Sequence, residues 1–462
     1  MLQLAWPLLV IQLLQVAYNL ADTFWLGRLS ADAVGALSLA FPLIFLMISV
    51  GGGFTTAGSI LVAQYTGAES EGSAGTVAGQ TFTFVTFLAI VLGIVGFVST
   101  DAMLGVLPAD PQTALNVIPL AGDYMRIFFL GQPFLFGFFV FSSLMRGYGN
   151  TRTPMRVMAI SVAINVVIDP FLIFGWWIFP AMGIEGAAIA TIFSRGVATV
   201  IGVYIIFFTS VGPAVSFADL APDFDIIRKI VRIGVPSATE QSMSAMAMIT
   251  LTAMVVSFSP PVVAAYGLGN RLISLVFLPA MGLGRATDTM VGQNLGAGNF
   301  DRAGKAVQLA ATSAAAVLFV IAIVAALFPE PIISVFMKGD TADALETVAL
   351  GSEYLRIRTT EFVFIGILQV LLGAFRGSGK TTVAMVLSIV ALWLGRVPTV
   401  YVLAFVFDLG PTGIWIGMAL GNILGAIVAV VWFMRGTWRQ RVIDEEPGVE
   451  AESPADDSAV DD

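Results

Sequence analysis

Two short polar stripes interrupt an otherwise apolar chain. Gln12, Gln15, Asn19 and Asp22 follow one another at spacings of three, four and three, with Tyr18 beside them. Ser161, Asn165 and Asp169 form a second set at spacings of four. On an α-helix each set lies on one face. A carboxylate inside a membrane span costs roughly 2.5–3.5 kcal/mol on insertion scales, so it needs a reason to be there. Loss of water and a like-charged neighbour both favour the protonated acid. Asp22 and Asp169 are therefore candidate proton acceptors, with Asn165, Asn19 and Tyr18 as hydrogen-bond partners. The same oxygens are candidate ligands for sodium. The structural alternative is that Asp22, near Arg28, caps or snorkels, that Asp169 ends a helix before Pro170, and that Asn165 makes an interhelical bond worth about 0.6 kcal/mol.

The elements that must hold these groups are membrane spans. Of the 462 residues 57% are hydrophobic and 11% charged, against roughly 25% charged in a soluble domain. Mean hydropathy is +0.91. Apolar runs lie near 3–26, 34–63, 77–104, 121–145, 154–178, 183–209, 231–257, 262–284, 307–330, 352–373, 382–407 and 412–434. Each can cross roughly 30 Å of hydrocarbon, and all are too long for barrel strands of about 9–11 residues. The chain has no histidine and no cysteine. That excludes imidazole catalysis, His-bound metal and thiolate chemistry. No acid, base and nucleophile come together, so neither an enzyme nor a cofactor or structural metal is expected. The first run lacks a basic flank and reads as helix one, not as a signal peptide.

The net charge of -9 belongs to the tail. Residues 444–462 hold nine of the 31 acids and no base, and read as solvated and disordered.

The chain repeats itself. Pro7 and Gln12 return as Pro236 and Gln241, and VAQYTGA (62–68) as VGQNLGA (291–297), all at offset 229. AGDYMRI (121–127), LMRGYGN (144–150) and GIEGAAIA (183–190) return as GSEYLRI, AFRGSGK and GIWIGMAL at offset 230. Six spans per copy give both copies one orientation, related by an axis along the membrane normal. The expected architecture is all-α and membrane-integral, with twelve helices in two six-helix lobes. The lobes cover 1–210 and 231–435, with a cytoplasmic linker at 211–230 and an acidic tail at 436–462. Loops 4–5, 6–7, 8–9 and 10–11 with the C-terminal flank carry thirteen bases, including Arg146 and Arg376, against about five on the other side. Both termini are therefore expected in the cytoplasm, although loop 2–3 has no base.

The polar site is not repeated. Leu251, Gly395 and Thr399 stand where Asp22, Asn165 and Asp169 stand in the first copy. Glu240 and Glu361 are the candidate second-half acids, near span ends. Asp288 is expected in a loop or cap. Pro7 can kink helix one and act as a hinge, or be a static bend. Met243, Met246, Phe138 and Gln15 could line a substrate cavity, since thioethers and aromatic faces suit apolar or cationic guests. The alternative is that they face lipid or core. RGSGKTT (376–382) lacks P-loop spacing and reads as a helix–helix turn.

NLADTFWLGRL (19–29), VAQYTGA, LMRGYGNTRTPM (144–155), NVVIDP (165–170) and VGQNLGAG (291–298) together resemble the MATE (multidrug and toxic compound extrusion) family, in its DinF-like and archaeal branch. The resemblance covers the chain to about residue 440. It implies two lobes around a cavity, and an antiporter that expels amphipathic, often cationic compounds against protons or sodium. It carries ion-coupling roles to Asp22, Asn165 and Asp169, the family's tyrosine to Tyr18 and its bending proline to Pro7. The network includes a threonine on the sixth helix. Ungapped counting puts Ala187 at its place, with Thr191 one turn on. Expected partners are small organic substrates and the lipid bilayer of the plasma membrane, with no nucleic acid and a monomeric state. The competing readings are a flippase for lipids or lipid-linked sugars, favoured by a rich basic lining, and an uncoupled channel or scaffold.

Overall fold

A computed structural model describes residues 2–105, 111–336 and 341–443. The acidic segment 444–462 lies outside the described residues. The fold is all-α. The first half holds α1 (Leu2–Leu29), α2 (Ala31–Gly67), α3 (Glu71–Gly105), α4 (Pro111–Leu130), α5 (Gln132–Tyr148), α6 (Arg152–Phe174) and α7 (Gly183–Phe208). The second holds α8 (Phe224–Val256), α9 (Pro260–Gly296), α10 (Phe300–Leu327), the short α11 (Pro329–Ser334), α12 (Ala342–Thr359) and α13 (Phe362–Gly377). A helical rod follows, made of α14 (Thr381–Ile389), α15 (Val397–Tyr401) and π-helical turns at Val390–Arg396 and Val402–Val406. The last helix is α16 (Gly410–Met434).

Among the described residues, nine helices are long and apolar enough to cross a membrane, and eleven spans result when each bent pair counts as one. The bent pairs are α4–α5, at 55°, and α12–α13, at 52°. Each falls on one expected span, 121–145 and 352–373. The breaks at Gly131 and Glu361 are 230 positions apart, so the bend belongs to the repeat. Helix α8 falls outside the apolar set. It begins at Phe224, inside the expected linker, and carries Asp225, Arg228, Lys229 and Arg232 in its first turns.

The repeated motifs end helices or turn the chain. Gly149 and Gly379, at φ 98 and 75, close α5 and α13 in the left-handed conformation. The same two bonds follow each: Asn150 N–H to Met145 O (2.8 Å) and Gly149 N–H to Arg146 O (2.9 Å), then Lys380 N–H to Phe375 O (2.9 Å) and Gly379 N–H to Arg376 O (2.7 Å). RGSGKTT is thus a helix–helix turn. The VAQYTGA and VGQNLGA copies end α2 and α9 and cross each other. Gln64 Nε2 donates to Gly377 O and Gln293 Nε2 to Gly147 O, both at 3.0 Å. A Cβ at Gly67 or Gly296 would lie 1.9 Å from the carbonyl oxygen of Gln293 or Gln64. Only glycine allows that crossing.

Two boundaries move. Helix α9 runs to Gly296, so Asp288 is a buried helical residue and not a loop or cap. The reason is that Thr287, Asp288 and Thr289 pack between helices and find cover there. The chain also packs on beyond 436: Trp438 stacks on Phe433 at 4.8 Å, and Val442 N–H donates to Gln64 Oε1 at 2.9 Å.

Candidate functional site

Helices α1, α6 and α7 bring the first-half acids together. Helix α1 packs along α6, and α6 along α7. Asp22 is 6% accessible, and Asn165 and Asp169 are fully buried. Asn165 Nδ2 donates to Asp169 Oδ1 at 3.0 Å, and Thr191 Oγ1 to Asp22 Oδ2 at 3.4 Å. The two carboxyl groups lie within hydrogen-bonding reach of each other. Asp22 Oδ1, Asn165 Oδ1 and Asp169 Oδ2 are left without a donor. A buried acceptor without a partner costs about 1–3 kcal/mol. One proton shared by the carboxyls relieves part of that cost, as does a small cation held among the three oxygens. Neither acid makes a salt bridge among the described residues. No group of three acids suited to a metal ion occurs among them either.

The neighbours differ from expectation. Tyr18 shares a 2.8 Å hydrogen bond with Ser194 Oγ and donates to Thr191 O at 3.3 Å, so it braces α1 on α7 instead of bonding Asp22. Asn19 is exposed and accepts from Gln15 Nε2 at 3.2 Å, outside the acid cluster. On a helix, Tyr18 sits about 40° from Asp22 in azimuth and Asn19 about 60° to the other side. Helix α7 packs on the Tyr18 side. Thr191, not Ala187, reaches Asp22, one turn along from the ungapped position.

A cation also stands here. Arg195 is buried, one turn after Thr191, with its guanidinium 4.6 Å from the Tyr18 ring and 5.2 Å from the Phe138 ring. Its Nη2 donates to Gln15 Oε1 at 2.8 Å. Gln15 and Phe138 thus hold Arg195, and Phe138 is buried under it instead of forming an open wall. The signal for Arg195 was its i+4 spacing from Thr191.

The second-half acids are paired. Glu240 takes Arg376 Nη2 at 2.5 Å, Arg376 Nε at 3.1 Å and Ser388 Oγ at 2.9 Å. Glu361, at the α12–α13 bend, pairs with buried Arg358 and accepts from Asn422 Nδ2 at 2.8 Å. Both lie inside the protein, not at its edges. Met243 is half-buried and Met246 is 43% accessible. Helix α1 runs through Pro7 as one continuous helix, because the amide that proline lacks falls in the second turn, where little of the helix precedes it.

A multi-spanning helical protein that buries unpaired acids between its helices has the construction of a secondary transporter. The MatE family model matches twice, over residues 7–171 and 236–402, and the chain belongs to that family. It is 30% identical over 443 residues to the Bacillus subtilis strain 168 protein called probable multidrug resistance protein YoeA, covering 95% of this chain and 93% of that one. It is 27% identical to a Shewanella oneidensis FAD transporter over 92% of each chain. A solved MOP-superfamily transporter from Pyrococcus furiosus shares the fold, with TM-score 0.84 over 94% of each chain at 24% identity. Proteins of this family are secondary transporters and not enzymes.

Proposed function

We propose that the protein is a multidrug efflux antiporter of the DinF-like branch, exporting amphipathic, often cationic compounds in exchange for protons or sodium. The observation that carries this reading is the buried Asp22–Asp169 pair with its orphaned oxygens. Twelve spans in two pseudo-symmetric lobes, a monomeric state, and both termini on the cytoplasmic side of the plasma membrane complete it. In the outward state the pair takes up an ion. Neutralising it changes how α1 packs on α6 and α7, with Pro7 as the hinge. The guest then leaves, the lobes rock inward, and the ion is discharged. Guest and ion are coupled through the lobe equilibrium alone. A cationic guest favours the ionised pair, so ion and guest compete. One proton per monocation moves no net charge, whereas two would add about 2.3 kcal/mol per 100 mV.

The names of the relatives support multidrug efflux as the class of activity. The test is efflux of a fluorescent organic cation from vesicles holding the purified protein, under separate proton and sodium gradients. Gradient-driven efflux that Asp22→Asn and Asp169→Asn abolish supports the site and identifies the ion. Full coupled efflux in both variants overturns it, and saturation without ion coupling would favour a channel or flippase.

A further inference from the structure

Three arginines from both halves meet away from the acid pair. Arg146 lies in the last turn of α5, Arg376 is its repeat counterpart on α13, and Arg285 lies on α9. Each is the one accessible residue in a buried run: 143–145 and 147 around Arg146, 282–284 and 286–289 around Arg285, 370–375 and 377–378 around Arg376. Each thus keeps some accessible surface within an otherwise buried stretch of helix. Backbone contacts bring them together. Thr289 Oγ1 donates to Arg146 O at 3.3 Å, and a Cβ at Gly377, next to Arg376, would meet Asp288 O at 2.2 Å.

The charges do not balance. Arg376 is committed to Glu240. Asp288 is within electrostatic range of all three guanidinium groups, but makes no salt bridge with any among the described residues. Three cations thus meet two carboxylates. Arg146 Nη2 donates to Ser143 Oγ at 2.8 Å while its Nε has no acceptor. Arg285 Nη1 reaches only a neutral amide, Gln12 Oε1, at 3.2 Å. A secluded cation without a matching anion is costly, and guanidinium forks fit carboxylate and phosphate.

We propose that Arg146 and Arg285 form a binding site for an anionic group, carboxylate or phosphate, carried by the transported guest. This rests on the transporter reading above and extends its substrate class to zwitterionic and anionic amphiphiles. Asp288 limits the site to one net positive charge, so a single anionic group balances it. Arg376 stays with Glu240 and closes one wall.

The test uses the full chain in detergent and a matched dye pair, rhodamine B and its methyl ester, which differ only in the carboxylate. Binding is followed by fluorescence anisotropy. The wild type is expected to bind the acid more tightly than the ester. Arg285→Gln should weaken acid binding about tenfold, the worth of one charge-assisted hydrogen bond, and leave the ester unchanged. Arg285→Lys should keep part of the preference. Should Arg285→Gln fail to fold, inorganic phosphate at constant ionic strength is added to the wild type. It should displace the acid and spare the ester. Equal effects on both dyes, or on neither, overturn the site. Ion-driven efflux of the ester tests the antiport reading separately, so loss of that efflux with acid preference intact leaves the anion site standing.

Discussion

In the first half, Asp22, Asn165 and Asp169 each leave one oxygen unsatisfied, and among the described residues no cation is bonded to either acid. In the second half, Glu361 lies against Arg358 and Asn422, and Glu240 against Arg376 and Ser388. The backbone beneath is the same in both: the bend at 131 and 361, the left-handed glycines at 149 and 379, the crossing of Gln64 and Gln293. A carboxylate already neutralised by a guanidinium has little use for a proton. One left unsatisfied gains from an ion. The repeat therefore supplies a frame, and the side-chain differences leave the acids of one half without a cation and pair those of the other.

The largest effect should come from breaking the paired lobe. Glu361→Gln leaves Arg358 buried and uncompensated, a loss of about 3–5 kcal/mol. It should appear as a large drop in thermal unfolding temperature in detergent. The double change Arg358→Met with Glu361→Gln should recover most of it, because removing both charges lifts the desolvation cost. If the single and double variants are equally unstable, the pair is not the reason for the loss.

Asp22→Asn and Asp169→Asn should do the reverse. Neither acid is ion-paired among the described residues, so unfolding temperatures should stay close to wild type while ion-driven efflux falls to the leak level. Moving the acid pair's behaviour to the other lobe should fail: Arg376→Gln frees Glu240 but is expected to destabilise, not to create a second coupling site. Efflux with a changed ion stoichiometry in Arg376→Gln would break the comparison.

The frame was legible because helical spacing and repeat offsets survive in sequence. Asp22, Asn165 and Asp169 were legible because a polar residue inside an apolar run is costly and therefore conspicuous. What could not be read was azimuth and partner. Tyr18 and Asn19 look equivalent beside Asp22, yet only Tyr18 faces α7. Thr191 was one turn from its ungapped place, a shift that packing decides. Arg146 and Arg376 counted as loop bases, but turns that follow them at once tuck both side chains inward. Asp288 read as a cap because a buried charge was unexpected there; Arg285 of its own helix and Arg146 and Arg376 of two others act on it electrostatically.

Thr191 gives a smaller effect on the same axis. Its hydroxyl bond to Asp22 is long, at 3.4 Å. Thr191→Val should cost about 0.5–1.5 kcal/mol, the usual net value of such a bond, and lower efflux several-fold without abolishing it. The pH dependence of efflux should move in Thr191→Val and not in Thr199→Val, whose hydroxyl bonds the Phe134 carbonyl about two turns further along α7. Identical profiles for Thr191→Val and the wild type would remove Thr191 from the ion site.

The smallest effect concerns the segment that joins the halves, which is fastened to the first. Gln80 Nε2 donates to Asp219 O at 2.7 Å and to Ala221 O at 2.5 Å, while Asp223 N–H donates to Gln80 Oε1 at 2.8 Å. Asp219 is the electrostatic part of that fastening. Partial burial works against its ionised form, but hydrogen bonds from the Ser216 hydroxyl and amide and from Thr76 outweigh it and hold the pKa below the ordinary 3.8. A depressed carboxylate contributes stability that is complete above its ordinary value and is lost as pH falls through the lowered one. Proteolytic nicking of residues 209–223 by an acid-tolerant protease should therefore be flat with pH down to about that ordinary value and rise below it. Asp219→Asn should be nicked faster already at neutral pH, with the acid-dependent rise gone. Nicking of Asp219→Asn that keeps the wild-type acid rise would mean that another group holds the linker to α3, and that the first half's grip on it does not depend on this carboxylate.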